Sequence, residues 1–210
     1  MREVPGLTVG VVLAGGLATR MGGGDKCLLN LAGRPMLSHV IDRLAPQVDA
    51  VVLNANGDAT RFARFGLTVV ADGVSGFPGP LAGVLAGMDA AAELGAEAIV
   101  TVAGDTPFFP QDLTARLRAA AAEAAVPIAL AATPDPRRGV SRHPTFGLWP
   151  VDLRHDLRRA LGEGVRKVVL WTDDHGCASA VFDTDAGDPF FNVNTPQDLE
   201  AARSWLDRAG

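Results

Sequence analysis

The 210-residue chain is poor in cysteine, which excludes some classes of small stabilised domain. Its two cysteines, Cys27 and Cys177, lie far apart in the sequence. Neither has a histidine or cysteine neighbour at the spacing of a metal site. We therefore expect free thiols in a reducing compartment, and neither a structural zinc ion nor a disulfide framework.

Excess positive charge and long apolar runs are also missing. The chain has 19 basic and 24 acidic residues, so no basic face favours a nucleic acid as partner. No apolar run approaches the roughly 18 to 20 residues of a membrane span, and no secretory leader is apparent. We expect a soluble, cytoplasmic protein that binds neither nucleic acid nor membranes. With 48% hydrophobic residues, it can bury one core in a single domain.

Glycine, in contrast, is concentrated after the first apolar run. That run, residues 9–13, predicts a strand buried on both faces, and a loop with five glycines follows it and ends at Lys26. Glycines let backbone N–H groups approach an anion, and Arg20 and Lys26 add countercharge. The loop is not a P-loop, because Lys26 lies between Asp25 and Cys27, and the dinucleotide spacing G-x-G-x-x-G does not occur in it. It is therefore a different kind of phosphate-binding loop, or a plain flexible turn.

Strands and helices alternate along the rest of the chain. Apolar runs predict strands at residues 49–53, 67–71, 98–102, 127–132, 145–149 and 178–182, and helical spacing predicts helices at 35–44, 81–94, 111–122, 151–161 and 196–206. Residues 165–172 fit either a helix or a strand. The pattern predicts a three-layer α/β fold with a doubly wound, mostly parallel sheet. A strand near 145–149 or 178–182 is expected to be antiparallel.

Polar side chains follow three of these predicted strands. Asn54, Asp72 and Asp105 lie at carboxyl ends, the edge where open α/β sheets bind ligands. Asp105 is suited to hold Mg²⁺ against a triphosphate, since magnesium needs few carboxylates and keeps several waters. The alternative for each residue is a cap of the following helix or turn.

Two later segments are also polar. Residues 133–145 contain three arginines within six positions, and we interpret them as a loop that binds an anion or is simply solvated. Asn192 and Asn194 lie on one side of an extended segment and could hold substrate or a metal-bound phosphate. Thr195 and Pro196 then predict the cap and first residue of the last helix.

Several of these segments together resemble one family. Leu13-Ala-Gly-Gly16, Arg20-Met-Gly-Gly23 and Asp25-Lys26 are similar to the signature loop of nucleotidyltransferases with a sugar-nucleotide transferase fold, most closely the molybdenum cofactor guanylyltransferases. The run Gly79-Pro-Leu-Ala-Gly83, the residue Asp105, the run His143-Pro-Thr145 and the run Asn192-Val-Asn-Thr-Pro196 also resemble motifs of that family. The resemblance covers about residues 8 to 206.

The resemblance implies a single nucleotidyltransferase domain over residues 1–210, with a Rossmann-like fold of the nucleotide-diphospho-sugar transferase type. The N-terminal half would bind nucleotide and the C-terminal half the acceptor. The implied reaction transfers GMP from Mg²⁺-bound GTP to Mo-molybdopterin, giving the guanine dinucleotide form of the cofactor and pyrophosphate. A monomer is implied, with transient contacts to cofactor-insertion proteins and apo-molybdoenzymes.

Position in the chain, local charge and the resemblance together assign roles to individual residues. Arg20, Lys26 and Asp105 would be catalytic, and Asp105 would bind Mg²⁺. The nucleotide-binding residues would be Leu13, Ala14, Gly15, Gly16, Lys26, Asn54, Asp72 and Asp105. The acceptor-binding residues would be Arg142, His143, Thr145, Asn192 and Asn194.

Rival functions remain open at this point. A cytidylyltransferase acting on the same cofactor and a sugar-1-phosphate nucleotidyltransferase would use the same chemistry. A nucleotide-binding regulator without turnover is a further alternative, which loss of Arg20, Lys26 or Asp105 would indicate. All three residues are present.

Overall fold

The computed structural model describes residues 6–15, 25–74 and 79–209, the last three of them for the backbone only. Gly16 and Arg20, which the resemblance assigns to the nucleotide, lie outside these ranges. Within the described ranges, none of the helices is both long enough and apolar enough to cross a membrane.

Strands and helices alternate through most of the described chain. In order, they are β1 (Thr8–Leu13), β2 (Asn30–Leu31), β3 (Arg34–Pro35), α1 (Met36–Leu44), β4 (Ala50–Asn54), β5 (Thr68–Val70), α2 (Pro80–Glu93), β6 (Ala98–Ala103), α3 (Leu113–Glu123), β7 (Ile128–Asp135), β8 (Gly139–Pro150), α4 (Arg154–Gly162), α5 (Val168–His175), β9 (Cys177–Val181) and α6 (Pro196–Ala209). Short 3-10 helices cover Lys26–Leu28, Ala45–Gln47, Ala59–Phe65 and Val151–Leu153.

Seven of the described strands form one sheet in the order β5-β4-β1-β6-β8-β7-β9. All of them run parallel except β8, which pairs antiparallel with β6 and β7. The predicted doubly wound, mostly parallel sheet is therefore confirmed. Of the two candidates for the antiparallel strand, 145–149 is correct and 178–182 is wrong, because β9 runs parallel to β7.

Strand β1 lies in the middle of the sheet and is buried on both faces. Val11 belongs to the core under α2, whereas Val12 belongs to the core under α1 and α3. Alternate side chains of a strand point to opposite faces, so an unbroken apolar run is what a strand covered by two helical layers requires. The three layers are therefore α2 on one face, the sheet, and α1 with α3 on the other face.

The prediction of a loop at residues 133–145 is wrong. Strands β7 and β8 form a long hairpin in which Asp135 pairs with Gly139, and the backbone N–H groups of Arg137 and Arg138 both donate to Asp135 Oδ1, at 2.8 Å. Polar and proline-rich composition indicated a loop. In the structure, however, the backbone groups pair across the hairpin, and the Asp135 carboxylate accepts the N–H groups of the turn. The ambiguous segment 165–172 contributes to helix α5.

The sheet also determines where polar residues meet. Leu13 at the end of β1 is in register with Asn54 at the end of β4 and with Ala103 at the end of β6. Because these three strands are parallel neighbours, the segments that follow them emerge at the same edge. The candidate site lies there.

Candidate functional site

A cleft of about 430 Å³ lies at the carboxyl edge of the sheet. All of the predicted nucleotide-binding residues in the described ranges contribute to its wall. They are Leu13, Ala14, Gly15, Lys26, Asn54, Asp72 and Asp105. Backbone pairing extends past the strand ends, since the N–H of Ala14 donates to Asn54 O at 2.8 Å and that of Gly104 to Leu13 O at 2.9 Å. The floor of the cleft is therefore built from hydrogen-bonded backbone.

Gly104 allows the close approach of two of these segments. A Cβ atom at this position would lie 3.3 Å from both Leu13 O and Cys27 Cβ. These distances are shorter than ordinary van der Waals contact, and the atoms belong to backbone and a buried side chain that cannot move freely. The absence of a side chain therefore brings the segment that carries Asp105 against the end of β1 and the 3-10 helix that begins at Lys26.

Lys26 and Asp105 form the charged centre of the site. Lys26 Nζ lies 2.9 Å from Asp105 Oδ2 and donates to Asn194 Oδ1 at 2.6 Å. Both charged side chains are mostly shielded, with 14% and 23% of their surface exposed. The structure thus brings together one predicted phosphate ligand, the predicted metal ligand and one predicted acceptor-side amide.

The Asn192–Asn194 segment is held beside Asp105 by backbone and side-chain bonds. The N–H of Val193, whose side chain is buried, donates to Asp105 O at 2.9 Å. Asn192 Oδ1 accepts a hydrogen bond from the hydroxyl of Thr106. Because side chains alternate along an extended segment, burying Val193 directs both asparagines away from the core. The sequence did not identify Thr106, which the structure adds as a support of this segment.

Helix α6 anchors the other end of that segment. Thr195 Oγ1 accepts from the N–H of Asp198 at 3.1 Å, which confirms Thr195 as the cap. In return, Asp198 Oδ2 accepts from the N–H groups of Asn194 and Thr195 at 2.9 and 2.8 Å. The bond from Asn194 lowers the pKa of the Asp198 carboxyl below its ordinary value. This reciprocal capping orients Asn194 toward Lys26.

Asn54, Asp72 and Asn56 form a hydrogen-bonded wall on the opposite side of the cleft. Asn54 Nδ2 donates to Asp72 Oδ1 at 2.9 Å, and Asn56 Nδ2 donates to Asp72 Oδ2 at 2.8 Å. Asn56 Oδ1 also accepts from the N–H of Asp72 at 2.9 Å. Asn56 was not predicted from the sequence, although its spacing of two from Asn54 on an extended segment was an available signal.

The residues proposed for the acceptor do not form one surface. Of the three on β8, only Thr145 lines the described cleft. Arg142 donates to Asp173 and Ser179, at 2.9 and 3.1 Å, whereas His143 stacks on Phe190 with its ring centroid 4.4 Å away. Adjacent residues of a strand point to opposite faces, so Arg142 and His143 extend from different faces of β8, and their assignment to the acceptor stays a prediction. Burial lowers the pKa of His143, and Asp188 partly opposes that effect.

The donor set at Asp105 suits a hard cation. Among the described residues, no group of three or more His, Cys, Asp or Glu side chains could hold a metal ion. The side-chain oxygen atoms that accept from Lys26 Nζ in the described structure belong to the carboxylate of Asp105 and the amide of Asn194. Mg²⁺ bound to a triphosphate takes one or two carboxylates and keeps waters, so a single aspartate fits it, whereas zinc sites are built mainly from nitrogen and sulfur ligands.

Comparisons with known proteins identify the relatives of this chain. The model of the MobA-like NTP transferase domain matches residues 10–176. The molybdenum cofactor guanylyltransferase of Bradyrhizobium sp. (strain ORS 278) is 53% identical over 196 residues, which are 92% of this chain and 90% of the relative. That of Rhodopseudomonas palustris (strain BisB5) is 53% identical over 198 residues, 93% and 92% of the two chains.

Solved structures share the fold at lower identity. Molybdopterin-guanine dinucleotide biosynthesis protein A from Archaeoglobus fulgidus superimposes with a TM-score of 0.72 at 20% identity, covering 95% of this chain and 99% of that one. The 4-diphosphocytidyl-2C-methyl-D-erythritolsynthase of Anaerococcus prevotii gives 0.75 at 14% identity, covering 97% and 99%. The same three-layer architecture therefore occurs in proteins whose sequences have diverged widely.

Proposed function

Because this chain belongs to the MobA-like NTP transferase family, with molybdenum cofactor guanylyltransferases as relatives along more than nine-tenths of its length, we propose that it transfers GMP from GTP to Mo-molybdopterin. The products are pyrophosphate and Mo-molybdopterin guanine dinucleotide. The observation that carries this proposal is the ion pair of Lys26 with Asp105 at the rim of a cleft that also contains the backbone of Leu13 to Gly15.

We assign the triphosphate to the amino-terminal side of the cleft. The backbone of Leu13, Ala14 and Gly15 and the ammonium of Lys26 supply donors and positive charge there. Gly16 and Arg20 retain their proposed roles by resemblance alone. Charge neutralisation by these groups is what phosphoryl chemistry needs, because the negative charge that develops in the transition state lies on oxygen atoms.

We assign the base and ribose to the wall formed by Asn54 and Asp72. Guanine presents N1–H and N2–H donors side by side, and a carboxylate or amide oxygen can accept from them. Cytosine lacks that pair of donors. Asn54 is buried, and its amide is held by Asp72 and by Val70 O at 3.2 Å, so the wall is ordered before a nucleotide binds.

Enzymes of this class normally use a divalent metal, and we propose Mg²⁺ held by Asp105. When bound, the ion would neutralise phosphate charge and help to orient the triphosphate. Asn194, which accepts from Lys26, and Asn192, which accepts from Thr106, keep the neighbouring groups in place.

The acceptor needs little help to attack. Its terminal phosphate monoester is an anion near neutral pH, so no general base is required, and the catalytic contribution is in-line positioning with a stabilised leaving group. We assign the acceptor to the side of the cleft lined by Thr145 and Lys26, next to Asn192 and Asn194. His143, stacked on Phe190, would support this side from behind.

The direct test is incubation of the purified protein with Mo-molybdopterin, Mg²⁺ and each nucleoside triphosphate in turn. Product identification by mass spectrometry should show the guanine dinucleotide and stoichiometric pyrophosphate with GTP. A cytosine dinucleotide formed from CTP would instead identify a cytidylyltransferase. A nucleotidyl sugar formed from a sugar 1-phosphate would identify the other rival. Tight GTP binding with no turnover of any acceptor would favour the regulator.

A paired variant tests the assignment of Asp105. Asp105→Asn should lower turnover by at least about 100-fold, because a neutral amide neither holds Mg²⁺ strongly nor pairs with Lys26. The control is Asp112→Asn, the same change at an exposed position ahead of α3 where the side chain makes no cap hydrogen bond. Normal turnover of folded Asp105→Asn would refute the metal assignment.

A further inference from the structure

Arg61 lies behind the cleft wall and joins two segments that are separate in the sequence. Its Nε donates to Asp25 Oδ2 at 2.5 Å and its Nη2 to Asp25 Oδ1 at 3.2 Å, a two-point contact with one carboxylate. Nη2 also donates to Asn56 O at 2.6 Å, and Nη1 donates to Asp58 O. One guanidinium therefore fixes the end of the glycine-rich loop to the segment that follows β4.

Both anchored segments carry residues of the cleft. Asp25 directly precedes Lys26, and Asn56 is hydrogen-bonded to Asp72 through both its side-chain amide and its side-chain oxygen. A shift of Asp25 would carry Lys26 with it, and a shift of the Asn56 backbone would displace the wall. Arg61 thus connects the phosphate side of the cleft to the base side.

The contacts of Arg61 indicate that it acts on the protein and not on a ligand. A guanidinium has five N–H donors, and these bonds to Asp25, Asn56 and Asp58 occupy most of them. Its carbon centre also lies 4.5 Å from the ring centroid of the buried Phe62. Neither Arg61 nor Asp25 is among the residues that line the described cleft.

Partial burial makes this pair stronger than an ordinary surface pair. The side chains of Arg61 and Asp25 are 27% and 14% exposed, and the planar fork matches both carboxylate oxygens. The pair also neutralises a carboxylate adjacent to Lys26, which would otherwise repel a triphosphate. Lysine in place of Arg61 could neutralise Asp25, but could not hold the carboxylate and two carbonyls in the same geometry.

We propose that Arg61 is a positioning residue for the nucleotide: through Asp25 and Asn56 it holds Lys26 and the Asp72 wall at the separation that GTP requires. The inference rests on the proposed function, since it assumes that both sides of the cleft bind one nucleotide. Once bound, GTP itself helps to hold both sides, so loss of Arg61 weakens binding more than it slows turnover.

The test compares Arg61→Gln, Arg61→Lys and Asp25→Asn with the native protein. Arg61→Gln should raise the Kd for Mg·GTP, measured by titration calorimetry, about tenfold, with a similar rise in KM and a smaller change in kcat. The Kd of Arg61→Lys for Mg·GTP should lie between those of the native protein and Arg61→Gln. The matched control is Arg64→Gln, the same change on an exposed residue of the same 3-10 helix, which should leave the Kd unchanged.

A double variant tests the route of the effect. In an Asp25→Asn background, Arg61→Gln should raise the Kd less than about threefold, because the carboxylate that it holds is already gone. An unchanged Kd in Arg61→Gln, or a full effect in the Asp25→Asn background, would overturn the proposal. If Arg61→Gln does not fold, Arg61→Lys and Asp25→Asn take its place. Native Kd values for Mg·GTP in both would then overturn the proposal.

The two proposals can fail separately. If the native protein binds GTP but forms no guanine dinucleotide, the proposed reaction is wrong, while the GTP titrations still decide the role of Arg61. If the dinucleotide forms but Arg61→Gln binds GTP as the native protein does, only the positioning role is refuted.

Discussion

Lys26 Nζ lies 2.9 Å from Asp105 Oδ2, although 79 residues separate them in the chain. The contact arises because β1 and β6 are parallel neighbours, so the segments after their carboxyl ends emerge side by side. A third partner, Asn194, is 168 residues away from Lys26 and arrives through the backbone bond of Val193 to Asp105. The fold thus forms the charged centre of the cleft from residues that lie far apart in the sequence.

Removing the cation of this pair should stop turnover without unfolding the protein. Lys26→Gln should lower kcat at least about 100-fold, because the phosphate charge loses its point-charge partner while Asp105 remains partly solvated. Lys26→Arg should retain intermediate activity, since it keeps the charge but presents a planar fork in place of a compact ammonium. Pyrophosphate release measures the rate, and circular dichroism checks the fold. Equal rates for Lys26→Gln and the native protein would contradict the role.

Adding one methyl group at Gly83 should disturb the base side of the cleft. A Cβ atom there would lie 2.3 Å from Asn54 Oδ1 and 2.8 Å from Leu13 Cδ2. Asn54 is buried and hydrogen-bonded, so relief of the clash should break its bond to Asp72, at a cost of about 1–3 kcal/mol in unfolding free energy. Gly83→Ala should also raise the KM for GTP several-fold.

The control for that change is Gly162→Ala, at the end of α4, where a Cβ atom would meet nothing within 4 Å. Urea unfolding and initial-rate kinetics on both variants give the comparison. A KM for GTP that is the same in Gly83→Ala as in the native protein would show that Asn54 does not position the base.

His143 should contribute to the pH dependence of stability. Burial lowers its pKa in the folded state below the ordinary value of 6.5, so the unfolded chain takes up a proton more readily. The contribution of neutral His143 to stability is therefore fully present above pH 6.5, and it is lost as the pH falls from there toward the lowered pKa of the folded state. His143→Gln should lose less unfolding free energy between pH 7.5 and 5.5 than the native protein. A steeper loss in His143→Gln would contradict the shift.

Cys27 should be chemically inert in the folded protein. It is 2% exposed, and burial, together with the negative charge of Asp25, raises the pKa of its thiol to about 12. At pH 8 almost none of it is thiolate, so iodoacetamide should leave it unmodified. Peptide mass spectrometry after labelling of native and urea-unfolded samples measures this, with alkylation of both cysteines expected only after unfolding. Rapid labelling of Cys27 in the native state would refute it.

The sequence alone predicted the sheet and several residues of the site. Its apolar runs identified buried strands because a central parallel strand must be hydrophobic on both faces, and β1 is buried in that way. It also predicted that Asn54, Asp72 and Asp105 follow strand ends, because chain order and strand polarity together restrict where such residues can lie. The sequence also predicted Thr195 as the cap of the last helix, because the residue types of a helix cap act over only a few positions.

Tertiary structure alone decided which distant groups meet. The bonds of Arg61 to Asp25, of Asn56 to Asp72 and of Lys26 to Asn194 join segments that lie far apart in the sequence, and no local pattern encodes such contacts. Composition also misled at residues 133–145, where a polar, proline-rich stretch pairs as a hairpin and directs Arg142 and His143 to opposite faces. Local propensity reports only what a short segment prefers, whereas pairing partners and side-chain direction are set by the packing of the whole sheet.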